Sequence, residues 1–398
     1  MLRRIIIMEN EDVIITSAFR TAIGSFNGSL SSKTAPELGS AVIKKCIENS
    51  ELKKEEVDMV YMGQVLSAGA GQNPARQASI YAGLPNKTTN TTINQVCGSG
   101  LASVALAFNS IRCGDGNVIV AGGQESMSNA PHYIKLLKGE KINEDKIKNT
   151  MIIDGLWDVY NDYHMGMTAE NVAKKFNIKR QDQDKFALNS QKKAIKAIKE
   201  KKFINEIVPV EINNDIYFKQ DEHPRENTSI EKLSELKTVF KKDGTVTPGN
   251  SSGINDGAAA VSLMTFENVK KKKIKPLAKI VSWAQCGVDP SIMGTGPIPA
   301  SRLALKKAGW DIKELELIES NEAFAAQSIA VNKELGWETN NLNVNGGAIA
   351  LGHPVGASGA RILVTLIHEM QKRKVKKGLA TLCVGGGMGI AMCIENIV

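Results

Sequence analysis

The chain has 398 residues, of which 42% are hydrophobic and 23% are charged. This length predicts two or three structural lobes, and the composition is typical of a globular protein rather than a disordered or fibrous one. No run of apolar residues reaches the length of a membrane-spanning helix, so we expect no membrane partner. The net charge is +8, but the basic runs at 270–273 and 372–377 lack interleaved aromatic residues. They favour solvated surfaces over nucleic-acid binding.

Six cysteines lie far apart in this long chain. Sparse cysteines without a secretory signal predict free thiols in a reducing compartment, so we expect a cytoplasmic protein rather than a mitochondrial one. The apolar stretch at residues 1–7 is too short for a signal peptide and soon turns acidic. Residues 395–398 contain no peroxisomal or retention tripeptide.

Hydrophobic periodicity predicts alternating strands and helices in the first third of the chain. In chain order the predicted elements are a strand at 13–16, a helix at 37–48, a strand at 57–61, a strand around Val96, a helix at 101–111, and a strand at 118–120 closed by glycines 122–123. Such alternation favours a mainly parallel sheet covered by helices on both faces.

The last third repeats this order of elements. A strand at 342–344, a glycine turn, a helix at 358–370 and a strand at 379–384 lead to glycines 385–387. Two similar α/β halves are therefore predicted. Glycines 385–387 do not match a dinucleotide-binding fingerprint, because no acidic residue follows at the required distance.

Residues 127–267, between the halves, have a different character. A polar stretch at 135–150 predicts a surface loop, and Thr168 is predicted to cap a helix that ends near Lys175. A second helix is predicted at 182–199. This section is interpreted as a loop-rich insertion, a common location of substrate contacts.

Cys97 lies between a predicted strand and a predicted helix, in the sequence VCGSG at 96–100. The free N–H groups and partial positive charge at a helix amino terminus favour a thiolate. The adjacent glycines allow a ligand to approach the backbone closely. On these residues alone, a packed core cysteine is the commoner alternative.

Three further residues are candidates for chemistry with a thiol. His353 lies in a rigid loop of proline and glycines, which could hold an imidazole in place as a base; a surface histidine is the alternative. Cys383 ends a strand beside glycines 385–387, where it could equally be a packed cysteine. Asn321 opens the sequence NEAFA, where its amide could orient a water or simply cap a helix.

Taken together, these segments resemble the thiolase family, and within it the acetyl-CoA acetyltransferases. The matches follow the family's order from about Asp12 to the last residues. They are NQVCGSGL at 94–101, DEHPR at 221–225, GTVT at 244–247, and the stretches 250–259, 321–325, 352–361 and 383–389.

The resemblance implies an α/β fold of the thiolase type. It consists of two similar βαβαβαββ halves in a layered α/β/α/β/α arrangement, with a loop-rich insertion. The implied N-terminal half covers 12–126. A loop domain covers 127–267 and returns to the N-terminal half, and the C-terminal half covers 277–398.

The resemblance also implies an activity, the reversible Claisen condensation of two acetyl-CoA to acetoacetyl-CoA and CoA. Cys97 looks like the nucleophile, His353 like its activating base, and Cys383 like the acid/base for the α-proton. Asn321 looks like the holder of a water that forms one oxyanion hole with His353. The N–H groups of Cys97 and Gly385 look like the other.

Coenzyme A is implied as part of the substrates rather than as a cofactor, and no metal is expected. His164 and Met165 are implied to belong to a substrate loop, Arg225 to contact adenine or phosphate, and Ser252 to contact pantetheine. Phe240 and Phe324 are implied as apolar walls, Met293 as a residue near the acyl pocket, and Gly385 as an oxyanion amide.

Several alternatives stay open. A 3-ketoacyl-CoA thiolase of broad chain length is disfavoured by His164 and Met165, which indicate a narrow pocket. A decarboxylating ketoacyl synthase would lack the Cys383 motif. A thiolase-like binding protein with a dead site would lack Cys97, His353 or Cys383. The family further suggests a homodimer or homotetramer, with residues 135–150 where a tetramerisation or lid loop would lie.

Overall fold

The computed structural model describes residues 9–397, so the predicted apolar stretch at 1–7 lies outside the described residues. The strands are β1 (Val13–Thr21), β2 (Gly24–Ser25), β3 (Met59–Gly63), β4 (Thr89–Ile93), β5 (Val118–Ser126), β6 (His132–Tyr133), β7 (Lys148–Asn149), β8 (Trp157–Asp158), β9 (Tyr163–His164), β10 (Ile207–Val208), β11 (Val210–Asn213), β12 (Ile216–Phe218), β13 (Asn255–Thr265), β14 (Ala278–Gly287), β15 (Leu317–Ser320), β16 (Lys377–Val384) and β17 (Met388–Asn396).

The α-helices carry most of the predicted amphipathic segments. They are α1 (Ala35–Asn49), α2 (Pro74–Tyr81), α3 (Ser99–Cys113), α4 (Met165–Lys175), α5 (Arg180–Lys199), α6 (Ile230–Ser234), α7 (Phe266–Lys272), α8 (Pro297–Ala308), α9 (Ala325–Leu335), α10 (Ala348–Leu351) and α11 (Ser358–Arg373).

Two predicted strands have different bounds in the structure. No strand includes Val96, because β4 ends at Ile93 and the chain then turns. Conversely, β5 does not close at its glycines but continues to Ser126. A side chain at Gly122 would lie 2.0 Å from the carbonyl oxygen of Ala259 on the neighbouring strand β13. These glycines therefore mark close backbone packing rather than a turn.

The large sheet has the same strand order in each half of the chain. The first half runs β4-β3-β5-β13-β1, and the second runs β15-β16-β17-β14. The strand predicted at 342–344 is not formed. Only Leu342 makes an isolated parallel bridge, to Ile318, at the outer edge of the second half, where β4 lies in the first. The halves join edge to edge through a short antiparallel pairing of β1 with β14. The prediction of two similar halves is confirmed.

The prediction of a mainly parallel sheet is wrong, because the sheet is mixed. The pairs β3–β4, β3–β5 and β15–β16 are parallel, whereas β1, β13, β14 and β17 pair antiparallel with their main-sheet neighbours. A parallel connection needs a crossover of about a dozen residues or more. Only the three glycines 385–387 separate β16 from β17, so these strands must form a hairpin.

Helices α3 and α11 form the central layer of the molecule. They pack against each other, and each contacts strands of both halves. Helices α1 and α2 cover the outer face of the first-half strands, and α8 covers the outer face of the second. This is the α/β/α/β/α layering that was expected.

The central position of α3 corrects one expectation from composition. The window Val96–Cys113 is long and apolar enough to cross a membrane, contrary to our reading of the chain. However, 61% of that window is buried inside the protein, in the apolar cluster that also contains α11. Its hydrophobicity is explained by the share of its surface that packs in this core.

The middle section contains the predicted helices, with one difference in capping. Thr168 does not begin α4 but lies inside it, where its hydroxyl donates to the Met165 carbonyl at 2.6 Å. The N-cap is His164, whose Nδ1 accepts the N–H of Gly166 at 3.1 Å. The stretch 135–150 is largely exposed, as predicted for a surface loop.

Candidate active site

A cavity of about 660 Å³ lies between the middle section and the loops of both halves. Cys97, His353 and Gly385 line it. The other residues predicted to contact substrate line it as well; they are His164, Met165, Arg225, Phe240, Ser252, Met293 and Phe324. Cys383 and Asn321 are not part of its lining and are fully buried.

Cys97 is held by a tight turn between β4 and α3. Val96 has a φ of 46°, a left-handed conformation that is unusual for a β-branched residue. Its N–H donates to the Asn94 Oδ1 at 3.0 Å, and its carbonyl accepts the Ser99 hydroxyl at 2.6 Å. These bonds hold the strained backbone next to Cys97, just before the helix begins.

The expectation of a Cys97 thiolate is wrong for the unliganded protein. Burial raises the pKa of the Cys97 thiol to about 11. Hydrogen bonding from the backbone N–H groups of Gly385 and of Cys97 itself opposes this rise. Desolvation has the larger effect on the pKa. Removing a thiolate from water costs more free energy than two amide N–H groups and a helix amino terminus contribute to its stabilisation. At neutral pH, Cys97 is therefore a thiol.

His353 lies in the loop that precedes α11 and is buried. Its backbone N–H donates to the Asn255 Oδ1 at 2.9 Å, and its Nδ1 lies 2.5 Å from the Ser358 Oγ. Burial, assisted by the positive charge of Arg361, lowers the pKa of the imidazole to about 4. His353 is thus neutral at pH 7 and can accept a proton.

Two glycines bring the segments that carry Cys97 and His353 together. A side chain at Gly100 on α3 would lie 2.7 Å from the backbone nitrogen of Ala360 on α11. In return, a side chain at Gly359 would lie 2.5 Å from the backbone nitrogen of Leu101. Only glycine allows two helix backbones to approach this closely. The first turns of α3 and α11 therefore meet, with Cys97 and His353 just before them.

Glu125, which the sequence analysis did not single out, links the two halves at the site. Its carboxylate accepts the N–H groups of Val65 at 3.0 Å, Leu66 at 3.2 Å and Gly356 at 2.9 Å. Burial raises the pKa of this carboxyl group to about 7. A carboxylate in a strand whose residues 118–123 are all apolar or small is the signal that could have indicated it.

Cys383 lies behind the cavity at the end of β16. It packs in an apolar cluster with Met165, Met293 and Phe324, which line the cavity. Burial and the neighbouring Cys97 sulfur both raise the pKa of the Cys383 thiol. The structure thus brings the two cysteines of the predicted pair together, both as thiols at neutral pH.

Asn321 follows β15 directly, and its side chain is fully buried. Neither Oδ1 nor Nδ2 has a hydrogen-bond partner within the protein. Buried amides are nearly always hydrogen-bonded, so an unpaired one requires an explanation. A buried amide without a protein partner, two residues before the cavity-lining Ala323, fits a group that binds something in the site.

Aromatic rings narrow the cavity near Cys383. The His164 ring stacks on Phe240 with centroids 4.6 Å apart, and Phe240 meets Phe324 edge-on at 6.5 Å. Arg225 is exposed, while its backbone N–H is anchored on Gln191 Oε1 at 2.8 Å. The cavity therefore joins an apolar inner part to a cationic, solvent-facing residue. Among residues 9–397, no group of three or more His, Cys, Asp or Glu side chains is placed to hold a metal ion.

Known families match both halves of the chain. Residues 13–267 match "Thiolase, N-terminal domain", and residues 274–396 match "Thiolase, C-terminal domain". The chain is 56% identical over 393 residues to an acetyl-CoA acetyltransferase of Rhizobium meliloti, which covers 98% of this chain and 100% of that protein. It is also 56% identical over 390 residues to an acetyl-CoA acetyltransferase of Cupriavidus necator; the alignment covers 97% of this chain and 99% of that protein.

Solved structures give the same result. The Bacillus anthracis acetyl-CoA acetyltransferase superposes with a TM-score of 0.95 at 43% identity, over 97% of this chain and 99% of that one. Human mitochondrial 3-ketoacyl-CoA thiolase in complex with CoA superposes with a TM-score of 0.94 at 41% identity, over 98% and 100%. Since the family matches cover nearly the whole chain and the relatives align over essentially their full lengths, this protein belongs to the thiolase family.

Proposed function

We propose that this protein is an acetyl-CoA C-acetyltransferase, which condenses two acetyl-CoA to acetoacetyl-CoA and CoA through an acetyl-Cys97 thioester. The observation that carries the proposal is a single cavity lined by Cys97, by Gly385 and by His353, a neutral imidazole. An attacking sulfur and donors for an oxyanion are the parts that acyl transfer needs.

In the first half-reaction, the Cys97 thiol passes its proton to His353 as the sulfur attacks the acetyl carbonyl. The bond from Cys97 sulfur to the acetyl carbon forms, and the bond from that carbon to the CoA sulfur breaks. The departing CoA thiolate takes the Cys383 proton and leaves as the thiol. Cys97 is then acetylated, His353 is protonated and Cys383 is a thiolate.

In the second half-reaction, the Cys383 thiolate removes the α-proton of a second acetyl-CoA. The enolate oxygen is stabilised by the protonated His353 and by a water held on Asn321. The α-carbon attacks the acetyl-Cys97 carbonyl, forming a carbon–carbon bond and breaking the bond to sulfur. The Cys97 thiolate recovers its proton from His353, so every group returns to its resting state.

Two features favour an acetyl group over longer acyl chains. The stacked rings of His164 and Phe240 and the apolar cluster around Cys383 form apolar walls of the inner cavity, which suit a short acyl group. Relatives aligned over the whole chain at 53–56% identity carry the name acetyl-CoA acetyltransferase. Exposed Arg225 is suited to the phosphates of CoA, because a guanidinium binds phosphate oxygens in pairs.

Acetyl transfer to the protein tests the proposal directly. Incubation with radiolabelled acetyl-CoA is expected to release free CoA and to leave label on the peptide that contains Cys97. Continued incubation should yield labelled acetoacetyl-CoA. Label on another cysteine, or none on a folded protein, would exclude this function.

The pH dependence of acylation follows from the shifted pKa values. Because the pKa of His353 is lowered to about 4, the imidazole stays able to accept a proton until the pH falls that far. The acylation rate should fall on the acid side with a midpoint near that value, not near the ordinary histidine pKa of about 6.5. It is measured as the pH profile of Cys97 acylation by acetyl-CoA, with activity reassayed at neutral pH to exclude acid denaturation.

The titration of Glu125 must be distinguished from that of His353, because the Glu125 pKa of about 7 lies within the pH range of the assay. A Glu125→Gln variant removes that titration. If an acid limb centred near the ordinary histidine value persists in Glu125→Gln, the assignment of a buried neutral His353 as the base is wrong.

A further inference from the structure

One close contact in the site takes no part in the two half-reactions. Ser358, the first residue of α11, is buried with 1% of its surface exposed. Its hydroxyl oxygen lies 2.5 Å from the Nδ1 of His353, on the ring edge away from Nε2. The same hydroxyl lies 2.9 Å from the carbonyl oxygen of Pro354.

The direction of these two bonds can be argued from the groups themselves. A carbonyl oxygen only accepts, so the bond from Ser358 to Pro354 requires that the single hydroxyl proton of Ser358 is directed to Pro354. The Pro354 oxygen also accepts the N–H groups of Ala357 and Ser358, each at 2.9 Å. Toward His353, Ser358 is then an acceptor, which requires a proton on Nδ1. A neutral imidazole has only one proton, so Nε2 is left as the base.

The Nε2–H tautomer is also disfavoured by the hydrogen bonds available to the ring. Within residues 9–397, His353 makes no side-chain hydrogen bond except the one from Nδ1 to Ser358. A proton on Nε2 would leave a buried N–H without a partner in the protein, whereas a proton on Nδ1 is bonded to Ser358. Buried N–H groups without a partner are rare because they forfeit a hydrogen bond.

We propose that Ser358 is a positioning residue that fixes His353 as the Nδ1–H tautomer and so presents Nε2 as the base; this rests on the proposed function. The same chain of bonds suits the protonated ring. An imidazolium donates from both nitrogens, so Nδ1–H to Ser358 and Ser358 to Pro354 persist when Nε2 takes the Cys97 proton. No hydroxyl has to reorient during the proton transfer.

The test compares Ser358→Ala with a matched control, Ser103→Ala. Ser103 is buried in α3 and donates to the carbonyl of Ser99, four residues earlier, just as Ser358 donates to Pro354. The first readout is the tautomer of His353, from nitrogen–proton couplings in protein labelled with ¹⁵N-histidine. The chain has five histidines, and a His353→Gln variant identifies the signal.

In the wild-type protein and in Ser103→Ala, we expect the proton on Nδ1. In Ser358→Ala, the signal should shift toward the Nε2–H tautomer. The second readout is kinetic: kcat for acetyl transfer should fall by roughly ten- to a hundredfold with little change in KM. That loss is smaller than the loss caused by removing a charged orienting partner of a catalytic histidine.

A wild-type protein with the proton on Nε2 would overturn the proposal, and this measurement needs no variant to fold. An unchanged tautomer and an unchanged kcat in Ser358→Ala would overturn it too. A protein that shows the expected tautomers but forms no acetyl-Cys97 would refute the proposed function and leave the role of Ser358 in orienting the ring intact.

Discussion

A Cys383→Ser variant is expected to become acetylated on Cys97 to the same final extent as the wild-type protein, yet to form acetoacetyl-CoA roughly a thousandfold more slowly. A general base contributes on the order of a hundred- to ten-thousandfold to a proton abstraction. A serine hydroxyl is too weakly acidic to serve as the base at neutral pH. The measurements are the yield of acetylated protein and the rate of condensation.

The reason for this separation is the placement of the two sulfurs. Cys97 lines the cavity beside two amide donors, whereas Cys383 is buried behind Met165, Met293 and Phe324. The nucleophile therefore keeps its oxyanion donors in the variant. The lost thiol also protonates the departing CoA, but a CoA thiolate can leave without that proton, so acylation is slower and still reaches the same extent. The α-proton, in contrast, has no other base in the variant.

Cys393→Ser is the matched control for this experiment. Cys393 is also a fully buried cysteine in the same sheet, on the adjacent strand β17, but it packs in a different cluster. The condensation rate of Cys393→Ser should stay close to that of the wild-type protein. Normal condensation by Cys383→Ser would show that Cys383 is not the second base. Equal losses in both variants would point to damage to the sheet.

An Asn321→Ala variant is expected to lose roughly a hundred- to a thousandfold in kcat for condensation, the usual effect of removing one oxyanion-hole donor. Its stability should change little, because the Asn321 amide makes no hydrogen bond within the protein that could be lost. The two measurements are kcat and the thermal unfolding midpoint.

Asn343→Ala provides the contrast. Asn343 is equally buried, but its side chain accepts the N–H of Ser320 at 2.9 Å and donates to the Ser320 carbonyl at 2.8 Å and to Glu322 at 2.9 Å. Each such bond contributes about 0.5–1.5 kcal/mol net, so this variant should unfold at a clearly lower temperature. If Asn321→Ala were the less stable variant and retained its activity, Asn321 would be a structural residue.

The local patterns of the sequence were sufficient for the regular elements and for the main candidates at the site. Strong 3.6-residue periodicity predicted α5 and α11 to within a few residues. The motifs around Cys97 and His353 indicated residues that line the cavity, and the motif around Cys383 indicated one that lies behind it. These signals are short-range, since each depends on a few neighbouring residues.

Errors arose where distant parts of the chain decide the outcome. The glycines of β5 were interpreted as a stop, but they are needed because Ala259 and Gly356 lie against them. The turn at Val96 was interpreted as a strand, since a valine among apolar residues gives no sign of a left-handed φ. The importance of Glu125 and Asn255 depends on their bonds to a loop more than 95 residues away.

The sequence by itself determined which residues are available for the chemistry, and in which family such a set occurs. The tertiary structure alone decided their protonation. A cysteine before a helix suggests a thiolate, yet burial raises the pKa of Cys97 to about 11 and lowers that of His353 to about 4. The physical reason is that desolvation depends on every atom packed around a group, and those atoms come from both halves of the chain.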